Sequence, residues 1–418
     1  IKHSYREDRE LYKHFSSAIL NKEFMIPQEN PFIPKDAAVP SREIQDSVYP
    51  ELARKEKGVQ LFYGEDHEFL RPKGVVSLKI MFPKEKMDIN HRVYSKLYVA
   101  CVNESLNELS YPAKQAGLNY TIREGYEGVY VDISGYKESA MSLYALIIEH
   151  LVDFSVTENQ FSAIKDKIVR DYENFSLSDA HQQTRELSPD ILWNMKFTWK
   201  ESLPVAKKAT LASVKTYSEA LYEKTFLEAM VYGDLEKNDA NVIVDLFKQK
   251  TKTEGLTRDQ VFDLQYLSME NPEEIQYSAK LRVNNSCFFR EYMVGNDSPN
   301  MRAKSRVIAA ALQQPFYTEM RTNQQLGYIV WSYSSAKDET YFLSFLIQSG
   351  VYPADELDKR ADTFLLSSPS ILKEMDEDMF QQLIKSEIEK LERLPKSIAE
   401  RARMLKTLIF EHDADYSR

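Results

Sequence analysis

The chain has 418 residues, 43% of them hydrophobic, and its 54 basic and 64 acidic side chains leave a net charge of −10. At roughly 100–200 residues per domain, that length predicts two domains, or three, with sizeable cores. The acidic balance argues against nucleic acid as a partner, since phosphate binding wants a basic footprint, and no apolar run approaches the roughly 18 residues of a membrane span.

The chain opens on Ile1, which reads as a processed terminus or a cut, with any targeting peptide upstream of it. Residues 5–21 read as a charged helix end. Pro27, Pro31, Pro34, Pro40 and Pro50 follow. Proline fixes φ, removes a donor and biases its predecessor to extended geometry, so 24–56 is predicted to be an extended connector.

A pattern then begins that later recurs. Val75–Phe82 reads as a strand. A helix follows over about 91–110, with Val93, Leu97, Cys101 and Tyr94, Tyr98, Val102 at four-residue steps. Two alternating strands, 118–122 and 129–133, flank a turn framed by Gly125 and Gly128. Two helices follow, over about 140–154 and from Thr157, where Gln160 completes a capping-box spacing. Extra helical material covers about 181–223, then a strand at 228–233 and a helix near 240–250.

The second round starts with a strand at 286–292. Ser298-Pro299 then reads as an N-cap with proline at the first helical position. The strand pair is 328–333 and 341–347, with 334–340 as its turn. Helices follow from about Ala354 and over 376–394, the second broken by Pro395. Both rounds run strand, long helix, hairpin, helix, helix, and the hairpin entries Leu118-Asn119-Tyr120 and Leu326-Gly327-Tyr328 match. The fold class expected is α+β: two homologous domains, each a mainly antiparallel sheet packed with helices. The second has no room for the closing strand and helix, which reads as truncation or cleavage. The divisions expected are 1–56, 57–255 and 256–418.

The chemistry of a complete active site is absent from the motifs. The seven histidines are His3, His14, His67, His91, His150, His181 and His412, and no two stand four apart, so neither His-Glu-x-x-His nor its inverse is formed. Glu149-His150 comes nearest, but Leu146 stands where the first histidine belongs. Nucleophile-elbow, phosphate-loop and dinucleotide motifs are missing too. Cys101 and Cys287 read as two separate buried thiols.

The stretch Gln314–Val330, with Arg321-Thr322-Asn323-Gln324-Gln325-Leu326-Gly327-Tyr328 at its centre, resembles the pitrilysin family of zinc metallopeptidases, in its pitrilysin and insulin-degrading-enzyme branch. Phe345–Ser349, Glu104–Leu109 with Ala116–Tyr120, and Asn30–Pro34 extend the likeness over nearly the whole chain. The resemblance implies a four-domain enzyme whose two halves close on a chamber. Residues 1–56 would then be the tail of the second domain and a connector, with 57–255 and 256–418 the third and fourth domains.

This chain would be the half without zinc, binding no cofactor itself, with zinc expected in the missing N-terminal half. Its partners would be a peptide substrate and that N-terminal half, or a separate zinc-bearing subunit. Alone, the chain is expected to be inactive. Arg321 and Tyr328 take the catalytic-support and substrate-binding roles, with Gly327 beside them for close backbone approach. A Tyr hydroxyl can donate to a developing oxyanion, and an Arg can hold carbonyls at fixed angles. The adjoining strand offers an edge for an extended peptide. Against this stand a helix-end arginine and an ordinary strand tyrosine, or a non-catalytic scaffold of the same fold. The expected protein is soluble, with bacterial periplasm and cytoplasm both open.

Overall fold

The computed structural model describes residues 29–45, 49–266, 274–337 and 339–418; the helix read over 5–21 lies outside them. Strands β1 (Glu51–Glu56), β2 (Val59–Glu65) and β3 (Lys73–Met81) come first. Next are α1 (Ile89–Ser105) and α2 (Asn107–Gln115), then β4 (Asn119–Glu124) and β5 (Gly128–Tyr136). Helices α3 (Lys137–Val152), α4 (Glu158–Phe175), α5 (Ala180–Leu192), α6 (Trp199–Lys208) and α7 (Leu211–Leu221) follow. Strand β6 (Lys224–Gly233), α8 (Lys237–Thr251) and the short β7 (Glu254–Gly255) end the first unit. The second contains β8 (Ser286–Asn296), α9 (Pro299–Tyr317), β9 (Ile329–Lys337) and β10 (Thr340–Ser349). It ends with α10 (Ala354–Lys373), α11 (Glu377–Leu391) and α12 (Ile398–Glu411).

The start signals work as local chemistry requires. Asp88 accepts from the His91 amide at 2.8 Å, and Thr157 and Gln160 close a reciprocal capping box. Ser298 caps α9 with Pro299 just inside.

The chain forms an α+β fold around two sheets. The larger runs β1-β2-β6-β3-β5-β4, with β7 beside β6; only β2–β6 and β6–β7 are parallel. The smaller is antiparallel, in the order β8-β10-β9. Its order repeats β3-β5-β4, so each repeated strand finds its counterpart. Among the described residues no strand lies beyond β8, whereas β6 occupies that place beside β3.

One face of each sheet packs on its own unit's helices. Val76, Leu78, Ile80, Val129 and Val131 meet α1, α3 and α8, while Phe345 and Ile347 meet α9 and α10. The opposite faces are covered reciprocally. Helix α12 lays Ile398, Ala402, Leu405 and Ile409 over Phe62, Val75, Met230 and Tyr232 of the first sheet. Helix α5 crosses to the second sheet, where Ser188 donates to Glu291 and His181 meets Gln348. Both helices occupy the same step in their unit's order. The region read as extra helical material therefore begins with a repeated element.

Four local expectations change. The end of the extended connector, Glu51–Glu56, pairs with β2 as an edge strand. The helix read over 91–110 breaks at Leu106, and its continuation accommodates Pro112. The turn read over 334–340 is shorter, because Ser334 and Ser335 pair with Leu343 and Phe342 and extend β9 to Lys337. Helix α11 stops at Leu391, before Pro395. Both cysteines are free, and burial pushes each thiol up to about 12.

Candidate substrate-contact site at the start of β9

The end of α9 is built to widen. Pro315 lies in its last turn and lacks an amide hydrogen, and Thr318–Asn323 continues as a π-type turn. The Gln324 amide bonds back five residues to the Glu319 carbonyl at 3.0 Å. The Glu319 carboxylate accepts from Asn323 Nδ2 at 2.7 Å and Gln324 Nε2 at 2.8 Å, which together hold its carboxyl below the usual range.

Gln325 then takes a left-handed backbone, φ 53°, and reverses the chain. The reversal drives Leu326 into the core, 1% exposed, beside Met320 and Phe316, with its amide bonded to the Met320 carbonyl at 2.9 Å. At Gly327 the backbone presses on β10: a Cβ there would lie 1.8 Å from the Gln348 carbonyl oxygen. Only glycine fits that approach.

Past this pinch point Tyr328 emerges, 80% exposed. Arg321 holds it from beneath. Its Nη1 donates to the Tyr328 carbonyl at 2.9 Å. Its guanidinium lies 4.3 Å from the centre of the Tyr328 ring and 5.1 Å from that of Tyr317. The Tyr328 hydroxyl has no partner among the described residues and faces outward. The structure thus brings Arg321, Gly327 and Tyr328 together, all three of the residues the sequence picks out.

It also adds support that sequence reasoning missed. Gln348 Oε1 accepts from the His181 amide and meets its ring Nδ1, each at 2.8 Å. The His181 ring stands edge-on to Trp331 at 5.3 Å. Arg360 reaches Gln324 at 3.4 Å while paired to Glu356 at 2.8 Å. His181 and Gln348 are 167 positions apart, so no local spacing announces their contact.

The first unit's counterpart is different. Leu118 is buried like Leu326, but Tyr120 turns inward and its hydroxyl meets Ser110 Oγ at 2.7 Å. Ala113, 1% exposed, stands where Arg321 stands in the second unit. His150 is satisfied by Ser105 Oγ at 2.8 Å, and burial lowers its pKa. Among the described residues no three His, Cys, Asp or Glu side chains are grouped to hold a metal ion. No helix among the described residues is long and apolar enough to cross a membrane.

Residues 3–205 match the family described as the middle or third domain of peptidase M16, and 307–406 match the C-terminal lobe domain 4 of PQQ synthase PqqF-like proteins. The chain is 28% identical to the insulin-degrading enzyme of Bos taurus over 406 residues, covering 94% of this chain and 39% of the relative. It is 23% identical to the A-factor-processing enzyme of Saccharomyces cerevisiae over 420 residues, covering 98% of this chain and 40% of the relative. The chain thus spans about two fifths of the length of these relatives. Among solved structures, pitrilysin aligns with a TM-score of 0.79 at 21% identity, over 92% of this chain and 41% of that one. A peptidase M16 inactive domain from Pseudomonas fluorescens aligns at 0.63 and 14%, over 87% and 88%.

Proposed function

Because the chain belongs to the M16 peptidase family, we propose that it is the C-terminal half of a zinc metalloendopeptidase that degrades peptides. In this reading it closes the substrate chamber and supplies Arg321 and Tyr328 to the substrate, while another part of the enzyme holds the zinc. The two units serve as the third and fourth domains, the third extended back to Glu51 to take in β1. The observation that carries the reading is Tyr328, four-fifths exposed and yet fixed by a stacked and hydrogen-bonded arginine.

A peptide carbonyl under attack gathers negative charge on its oxygen, and a donor already aimed there stabilises that charge without reorganising. The free Tyr328 hydroxyl is such a donor. Arg321 spends one N–H on the Tyr328 carbonyl, which leaves further guanidinium donors for substrate carbonyls. The Gly327 pinch and the buried Leu326 set where both side chains stand.

The test joins this chain to the zinc-bearing half and measures hydrolysis of a quenched fluorescent peptide. The joined enzyme should cleave it, and this chain alone should not. Peptidase activity by the isolated chain, with one tightly bound zinc found by metal analysis, would overturn the assignment. A joined enzyme indifferent to Arg321→Ala and Tyr328→Phe would instead support a non-catalytic scaffold.

A further inference from the structure

Tyr328 is four-fifths exposed, so the path of its backbone, more than its own packing, decides where its hydroxyl stands. Both of its neighbours in the chain rest on one residue of β10. Gly327 presses on the Gln348 carbonyl, and Ile329 is the partner of Gln348 in the ladder. A shift of Gln348 therefore carries Tyr328 with it. A displacement of about 1 Å at a reacting centre can cost about 100-fold in rate.

Gln348 is held in turn by the first unit. Helix α5 begins at Ala180, and the main-chain amide and ring Nδ1 of His181 both meet Gln348 Oε1 at 2.8 Å. A main-chain amide only donates, which identifies that atom as the oxygen and requires the ring to carry a proton on Nδ1. The same ring stands edge-on to Trp331 of β9 at 5.3 Å and 88°. The start of α5 is itself fixed to the second unit. The Ala180 amide donates to Asn285 Oδ1 at 3.1 Å, and Asn285 Nδ2 donates to Asp179 Oδ1 at 3.2 Å. Tyr328 is thus bracketed by Arg321 of its own unit and, through Gln348, by His181 of the other.

From this we infer that His181 is a positioning residue for Tyr328, acting through the bond from its ring Nδ1–H to Gln348. The first unit, whose own counterpart Tyr120 turns inward, then takes part in substrate contact by holding the strand start that makes it. The main-chain bond from His181 holds Gln348 whatever side chain stands there, so the ring bond sharpens the position and does not create it. The consequence for catalysis rests on the proposed function; the positioning does not.

Two variants separate the hydrogen bond from the packing. His181→Asn places an N–H close to where ring Nδ1 stands and removes the ring from Trp331, whereas His181→Phe keeps a ring beside Trp331 and removes the donor. Hydrogen exchange of the full chain, read by mass spectrometry, should be about 3–10-fold faster over residues 326–331 in His181→Phe, the range one neutral hydrogen bond implies, and near native in His181→Asn. In the joined enzyme His181→Phe should lower kcat by a similar factor with KM little changed. It should add little to Tyr328→Phe, since both changes act at one hydroxyl. Circular dichroism checks that the variants fold. Native exchange in His181→Phe, or exchange in His181→Asn as fast as in His181→Phe, would overturn the inference. So would a kcat loss that adds in full to that of Tyr328→Phe. A joined enzyme indifferent to Tyr328→Phe counts against the proposed function instead, and the exchange rates then decide the positioning by themselves.

Discussion

Arg321 grips Tyr328 twice, through a 2.9 Å hydrogen bond to its carbonyl and a 4.3 Å approach to its ring. The exposed phenol is thereby fixed without its hydroxyl being used. In the joined enzyme Tyr328→Phe removes only that hydroxyl. It should lower kcat by about 10–100-fold and change KM little, because the lost bond forms mainly in the transition state. Arg321→Lys keeps the charge but not the planar fork that stacks and bonds at once, so it should cost activity nearly as much as Arg321→Ala. Steady-state kinetics on a defined peptide check both, and an unchanged kcat in Tyr328→Phe would leave that residue a structural role only.

Gly327→Ala tests the pinch point. Its methyl group would need the space of the Gln348 carbonyl, 1.8 Å away, and that carbonyl belongs to the backbone of β10. A clash with backbone is relieved only by separating β9 from β10, at about 1–3 kcal/mol. Thermal denaturation should show a lower Tm, with activity in the joined enzyme falling further than stability. An unchanged Tm would show that β9 starts elsewhere.

Glu228 makes stability depend on pH. It is 5% exposed, and its Oε2 has no hydrogen-bond partner. Lys79, directly across from it on β3, pairs instead with Glu127 at 2.8 Å and with the Phe410 carbonyl at 3.2 Å. Burial pushes the Glu228 carboxyl up to about 7, against the pull of Lys79 and Arg258. A carboxyl raised on folding favours the folded state fully below its unfolded value, and that stability is lost as pH rises through about 7. Glu228→Gln should therefore be more stable than the native chain at pH 8, by about 3 kcal/mol at most, with the gap closing towards pH 5. Denaturant unfolding at both pH values checks it. His91, lowered to about 4 by burial, acts in the opposite sense and on the acid side, and cancels in the comparison.

Leu405→Ala probes the covering of the first sheet by α12. Leu405 is fully buried against Phe62, Val75, Met230 and Tyr232. Truncation should cost about 2–5 kcal/mol. Since Leu405 comes late in the second unit and its partners belong to the first, far-UV and aromatic signals should shift together in urea.

Much of the fold was legible because it is local. The four-residue steps of Val93, Leu97 and Cys101, the Thr157–Gln160 box and the Ser298-Pro299 start are each decided within one or two turns of chain. The element order exposed the repeat, and the resemblance picked out Arg321, Gly327 and Tyr328. The covering of each sheet by the other unit's helix was not legible. Helices α5 and α12 have apolar faces, but an apolar face does not name its partner. The support of Gln348 by His181 was hidden for the same reason, being a contact between residues far apart in sequence. The extension of β9 through Ser334 and Ser335 went unread because serine favours turns, and here pairing with β10 overrides that preference.

The reciprocal placement of α5 and α12 bears on how the gene can be dissected. Divided between residues 255 and 256, it would yield two fragments, each lacking the helix that shields one side of its sheet. Neither fragment would behave as an autonomous protein. Mixed, they would behave as a complementing pair, each the chaperone of the other's exposed surface.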